Sequence, residues 1–204
     1  MAEAEIKKQN RRTILLLLAV FTLPVIIAYS AYFGGWFTEV NTSNRGQLLT
    51  PVIDFTQFES QSITDEKIAY EIGSPWRLVL PITDASCLES EGVDGCLLSI
   101  YIMGQTHQAL GKEQQRVTRS LYTAGFKLPD SKIAELKERF VELEIIHGNA
   151  LTETELSSGY IYIADPLGNI MMRYPLITEK SDAFLKGKDV LKDLKKLLKL
   201  SRIG

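Results

Sequence analysis

Residues 76–87 read WRLVLPITDASC, and the nature of this stretch decides how the rest of the chain is understood. Trp76–Ile82 is short, apolar, and bounded by Pro75 on one side and Thr83-Asp84 on the other, which predicts a strand buried on both faces. Pro81 puts the end of that strand near a sheet boundary. Downstream, from Cys96 onward, Leu97, Leu98, Tyr101, Ile102, Ala109 and Leu110 recur at three- and four-residue spacing, predicting a helix that Gly111 stops. A strand leading into a helix, with a cysteine at each end of the loop between them, is therefore the nucleus of the domain.

Working outward, Val117–Tyr122 reads as a second strand, and Asp130 is placed to cap a helix in which Ile133, Leu136, Phe140 and Val141 share a face. Leu143–His147 returns to strand character. Tyr160–Ala164 and Ile170–Tyr174 flank Asp165-Pro166-Leu167-Gly168-Asn169, where Pro and Gly supply the backbone angles of a hairpin turn. Phe184–Leu200 closes the chain as an amphipathic helix, with Phe184, Leu191, Leu194 and Leu198 on the apolar face. Its lysines, Lys188, Lys192, Lys195, Lys196 and Lys199, face solvent on this reading; contact with an anionic membrane is the minor alternative. Crossover units followed by an antiparallel hairpin and a last helix give an α/β domain in the thioredoxin-like order, with helices expected on both sheet faces.

The chain has 204 residues, 45% of them hydrophobic and 24% charged, which is the profile of a folded protein. Two Cys and two His rule out a disulfide-dense scaffold and a four-Cys zinc site, and they leave little room for His-centred hydrolysis. Net charge partitions as +2 over residues 1–12, −8 over 13–178 and +4 over 179–204, so the bulk of the chain offers no polyanion-binding face and nucleic acid is not an expected partner.

Thr13–Phe33 carries no charge, and at about 1.5 Å per residue a helix of that length matches a hydrocarbon core of about 30 Å. Pro24 inside it predicts a kink. Lys7, Lys8, Arg11 and Arg12 precede the run while Trp36 and Phe37 follow it, so the expected arrangement is a cytoplasmic tail (1–12), a transmembrane anchor (13–36), a tether (37–60) and a domain outside the membrane (61–204). Within the tether, Thr38–Thr50 is rich in Asn, Thr, Ser and Gly. A cleaved signal peptide has a shorter apolar region, about 7–15 residues, and a buried core helix would not be apolar on every face.

The loop between Cys87 and Cys96 is LESEGVDG, whose two glycines let the chain fold back and bring the sulfurs together. Two roles stand open: a structural disulfide, worth about 2–3 kcal/mol by loop closure, or a reactive pair in which Cys96 feels the amino end of its helix. Glu89, Glu91 and Asp94 disfavour a further anion and attract a cation, which leans toward slow redox or metal handling. His107 follows Cys96 by 11 residues, about 16 Å along a helix, and is expected to be a surface or lightly buried residue. His147 approaches the thiols only if its loop lies at the same sheet end. Glu153 and Glu155 read as a solvated loop rather than an acid–base pair.

Four segments in order, WRLVLPITDASC, HQALGKEQQRV (107–117), YIYIADPLGNIMMRY (160–174) and GKDVLKDLKKLL (187–198), resemble the SCO/SenC-like proteins that assist cytochrome c oxidase assembly. The resemblance runs from Trp76 to the end of the chain. It implies a thioredoxin-like domain behind a single amino-terminal anchor, copper as the metal, and the membrane, a respiratory oxidase subunit or its assembly factors as partners. The family's loop holds two Cys separated by three residues, and here Cys87 and Cys96 stand in that region with eight between them. The family's copper-binding His aligns with Ser157, ahead of Tyr162 and Pro166, so that ligand is replaced. The expected protein is thus a divergent SCO-like accessory factor with Cys87 and Cys96 as a redox or metal-contacting pair. Its rivals are a thiol:disulfide oxidoreductase and a non-catalytic scaffold with a structural disulfide. It is expected in the inner membrane, amino terminus cytoplasmic, with the domain in the periplasm or the mitochondrial intermembrane space.

Overall fold

The computed structural model describes residues 2–35, 43–58, 61–62, 67–89, 95–150 and 156–204, with the backbone alone for residues 2–9 and Gln61. It divides into two compact units, Met1–Ser43 and Asn44–Gly204.

Among its described residues the first unit holds one helix, α1 (Ala2–Phe33), with Pro24 inside it. Its segment Asn10–Phe33 is long and apolar enough to cross a membrane. The hydroxyls within it do not spoil its apolar surface: Thr22 Oγ1 donates to the Leu18 carbonyl (2.7 Å) and Ser30 Oγ to that of Ile26 (2.6 Å).

The second unit is a seven-stranded sheet in the order β1-β7-β6-β3-β4-β5-β2. Its strands are β1 (Gln47–Asp54), β2 (Gln61–Ser62), β3 (Trp76–Ile82), β4 (Val117–Ala124), β5 (Leu143–Gly148), β6 (Tyr160–Ala164) and β7 (Asn169–Pro175). β3, β4 and β5 run parallel, while β6 against β3, β7 against β6, β1 against β7 and β2 against β5 are antiparallel. As its composition demands, β3 is buried at every position and sits at the centre. Pro81 falls past Val79↔Tyr162, the last pair that β3 makes with β6, so its missing N–H lies beyond that ladder.

Three helices follow: α2 (Cys96–Gln108), α3 (Asp130–Arg139) and α4 (Lys180–Leu200). All three contribute to the core on one face of the sheet, with Trp76, Leu78, Leu80 and Ile82 from β3 beneath them. α2 and α4 come close because Gly187 has no side chain: a Cβ there would stand 2.8 Å from Ile102 Cγ2. The opposite face carries Val79, Tyr122, Ile146, Tyr162 and Ile170, and it is closed by Phe55 and Phe58 of a 3₁₀ turn together with Leu156. The expectation of helices on both faces is therefore corrected. Two successive crossovers step the same way, β3 to β4 to β5, which places their helices on one side.

Other differences have local causes. Residues 47–58, inside the span read as a tether, form β1 and the 3₁₀ turn, so the compact unit begins at Asn44 rather than residue 61. α2 ends at Gln108, and Gly111 opens a following 3₁₀ segment instead of stopping the helix. Pro129, not Asp130, precedes α3, and Asp130 is its first residue. Val141 lies beyond the end of α3 and is exposed, so it takes no part in the buried face. Phe184 is also exposed, because the buried stripe of α4 runs through Ala183, Gly187, Val190, Leu194 and Leu198.

Candidate functional site

Five residues past the end of β3, Cys87 sits in the 3₁₀ turn Ser86–Leu88, and Cys96 is the first residue of α2. The two are joined in a disulfide with their Cα atoms 5.6 Å apart. The turn is held by Asp84, whose Oδ1 accepts the Ser86 N–H (2.8 Å) and the Ser86 hydroxyl. Those two bonds, the hydroxyl first, keep the Asp84 carboxyl below its usual range. Leu88 then enters the helix-face core and fixes the turn from below.

The two sulfurs are not equivalent. Cys96 is buried at 3% exposure, while Cys87 is only partly buried. Cys87 is thus the sulfur open to solvent, and Cys96 is the one that attack there would displace. That leaving sulfur belongs to the first turn of a helix, whose amides lack intrahelical acceptors and favour negative charge. The geometry therefore suits attack at Cys87 and departure of Cys96.

A third segment completes the site. Gly95, at φ +72°, precedes α2, and a Cβ there would meet the Ile177 carbonyl oxygen at 2.9 Å and Thr178 Cγ2 at 3.0 Å. The fully buried Ser99 accepts the Ile177 N–H at its Oγ (2.9 Å), tying the chain between β7 and α4 to the first turn of α2. Sequence reasoning overlooked Ser99, Ile177 and Thr178. A lone hydroxyl in CLLSIYI was the available signal, because a buried hydroxyl needs a partner.

The histidines lie elsewhere. His107 is buried rather than superficial: its Nε2 stands 3.0 Å from the Gln114 carbonyl and 2.8 Å from that of Val117, so this nitrogen carries the proton and donates to both. His147 shares the carboxyl end of the sheet with the disulfide, through the register Ile82↔Thr123↔His147. Two strand spacings, about 9–10 Å, separate it from β3. Its Nδ1 is hydrogen-bonded to Thr123 Oγ1. Ser157 meets Tyr162 instead, donating its N–H to the phenol oxygen (3.1 Å) and accepting the phenol proton at its carbonyl (3.0 Å). Glu91, Asp94, Glu153 and Glu155 fall outside the described residues, while Glu89 is exposed beside the turn. Among the described residues, no three His, Cys, Asp or Glu side chains gather as a metal would require. With the sulfurs joined to each other and Ser157, where the resemblance leads to the expectation of an imidazole, bonded to Tyr162, the described residues as they stand do not fit a resident copper ion.

A thioredoxin-like sheet with a cysteine pair at the amino end of its first crossover helix defines a class of protein. The chain belongs to the family described as transmembrane-like, thioredoxin-like proteins, whose C-terminal domain model matches residues 76–201. Among solved structures, apo Sco1 from Thermus thermophilus is similar at 12% identity and TM-score 0.50, over 78% of this chain and 99% of that one. Copper-bound ScoI from Arabidopsis thaliana is similar at 12% identity and TM-score 0.46, over 74% and 98%. A thiol:disulfide interchange protein from Bacteroides sp. is similar at 14% identity and TM-score 0.43, over 76% and 90%. The first of these likenesses shows the shared fold; the other two are weaker. No curated protein matches by sequence.

Proposed function

We propose that this protein is a membrane-anchored, Sco-like accessory factor in cytochrome c oxidase assembly, and that its Cys87–Cys96 pair works by thiol–disulfide exchange. The observation that carries the reading is the unequal burial of two bonded sulfurs at the amino end of α2. A client thiolate attacks Cys87 Sγ, the Cys87–Cys96 bond breaks, and Cys96 leaves as a thiolate that takes up a proton. A second client thiolate then attacks the client sulfur of the mixed disulfide and releases Cys87. The client dithiol is oxidised to a disulfide, the pair is reduced to two thiols, and two electrons and two protons pass from one to the other.

The anchor supports action at a membrane surface. On this reading residues 1–12 lie in the cytoplasm, 13–36 in the bilayer and the domain outside, a topology that the basic residues before the apolar run support. A reporter fused after Gly204 is expected to be active only outside the cytoplasm, and cytoplasmic activity contradicts this orientation. For copper, the reduced chain is expected to lack tight one-to-one Cu(I) binding, because Ser157 stands where the resemblance leads to the expectation of a histidine ligand. Tight binding abolished by Cys87→Ser contradicts that expectation.

The functional test is restoration of assembled oxidase in cells lacking the protein. The intact chain is expected to restore it and the Cys87→Ser/Cys96→Ser chain is not. Full restoration by the double-serine chain favours the scaffold reading, which the packing of Leu88 and Cys96 into the core supports.

A further inference from the structure

One face of α4 is spent on the core, through Ala183, Gly187, Val190, Leu194 and Leu198. On the far side Lys188, Lys192, Lys195 and Lys199 recur at steps of four, three and four residues. At about 3.6 residues per turn they form one line along the helix, and all four are exposed. Phe184 and Leu185 continue that line toward the start of α4, at 74% and 61% exposure. We propose that this face of α4 docks on the headgroups of an anionic lipid bilayer, with the lysines against phosphate and the two apolar side chains in the interface. The proposal rests on the membrane anchor of the reading above and is independent of thiol exchange.

Three observations lead there. The first is charge. Among the described residues none of the four lysines has an ion-pair partner. The acids of α4 lie roughly a third of a turn round from the lysines and are engaged. Asp182 faces Lys186 (3.9 Å), Asp189 faces Arg45 (3.8 Å), and the buried Asp193 accepts the Tyr174 hydroxyl (2.8 Å). Glu179 precedes the helix, more than two turns before Lys188. Glu113, near the last turn, is paired with Arg116, and α2, which packs along α4, carries no acid. Residues 13–178 carry −8 against +4 over 179–204, so a negative surface repels the rest of the domain and turns α4 toward itself.

The second is reach. Ten residues, 34–43, lie between the end of α1 and Asn44, and fully extended they span at most about 35 Å. The chain then arrives on α4 itself, where Asp193 Oδ2 accepts the N–H of Arg45 (2.7 Å) and of Gly46 (2.8 Å). On the anchored reading, a contact that is weak between separate partners is thereby made at the high effective concentration a short tether imposes. The third is the pairing of Phe184 and Leu185 with lysines. Apolar side chains so placed enter the boundary of headgroups and acyl chains by about 5–10 Å. An acidic protein answers the lysines too, but the tether brings a bilayer to α4 and brings no other polyanion.

The test places the full chain in nanodiscs of phosphatidylcholine, with or without about one third phosphatidylglycerol. Lysine acetylation by a neutral succinimidyl ester is then followed residue by residue by mass spectrometry. Lys188, Lys192, Lys195 and Lys199 are expected to react at least about threefold more slowly in the anionic discs. Lys67, exposed beside the opposite face of the domain, is expected to react equally in both. Salt at about 1 M, where the Debye length is about 3 Å, is expected to abolish the difference. Lys192→Glu/Lys195→Glu, at exposed positions, is expected to remove the protection of Lys188 and Lys199, and Phe184→Ser/Leu185→Ser to reduce it by about half. Circular dichroism confirms that both variants fold. A chain that enters both discs yet reacts equally in them overturns the docking and leaves the anchor standing, whereas a chain that enters neither contradicts the anchor and removes the docking with it. Equal slowing of Lys67, protection untouched by both variants, or protection by added polyglutamate but not by anionic lipid also overturns the proposal, the last by assigning the lysines to an acidic protein.

Discussion

The two faces of the sheet are closed by different means. On the helical face, α2, α3 and α4 cover an aliphatic core, the disulfide sits at the rim, and a groove stays open beside it. On the other face Phe55, Phe58, Tyr70 and Tyr122 pack ring against ring, and the nearly buried Arg77 pairs with Glu144, which also accepts the Ser120 hydroxyl. The guanidinium of Arg77 lies 5.7 Å from the centroid of the Tyr70 ring. On the proposed function, the aromatic face holds the domain together and the helical face, with the disulfide at its rim, is where exchange takes place.

Substitutions on the two faces should therefore separate stability from redox behaviour. The largest effect is expected from Phe55→Ala, which removes a fully buried ring and costs about 3–5 kcal/mol. Thermal unfolding followed by near-ultraviolet circular dichroism measures the loss, and the redox potential of the cysteine pair should not move. Next comes opening the disulfide by Cys87→Ser, with an expected cost of about 2–3 kcal/mol for a loop of this length. Adding reductant to the wild-type chain should reproduce that loss, and reductant should leave the variant unchanged. Glu144→Leu strands the Arg77 guanidinium, and because Glu144 is itself a quarter exposed the cost should stay near about 2 kcal/mol, again with no change in redox potential.

The smallest effect concerns pH. Burial first, and then the hydrogen bond and charge of Asp193, push the Tyr174 phenol far above its ordinary range; burial does the same to Tyr122. The folded state thus holds these protons more tightly than the unfolded chain does. Their contribution is complete below a tyrosine's ordinary pKa of about 10 and is lost as pH rises beyond it. Melting temperature should fall above about pH 10, and Tyr122→Phe should flatten that fall.

How much of this was legible in the sequence follows the same division. β3, β4 and the hairpin of β6 and β7 announce themselves through continuous or alternating apolar residues, and the two-glycine loop made the meeting of Cys87 with Cys96 readable. β1 was hidden because it is an edge strand, mostly exposed, interrupted by Pro51, with its pairing to β7 irregular between Leu48 and Ile53. No alternation survives there for a sequence reader to find. Val141 and Phe184 misled for the opposite reason: both are apolar and in helical register, yet one lies past the end of α3 and the other beside the buried stripe of α4. The groove is assembled from three helices far apart in the chain, so no single stretch of sequence announces it.

The proposed function stands on the exchangeability of the Cys87–Cys96 bond, and the equilibrium potential of the full chain against defined dithiol–disulfide mixtures measures this directly. Thiol-exchanging proteins of this fold span about −120 to −270 mV, and the value is expected within that range. A potential below about −300 mV marks a purely structural disulfide and contradicts the proposed function.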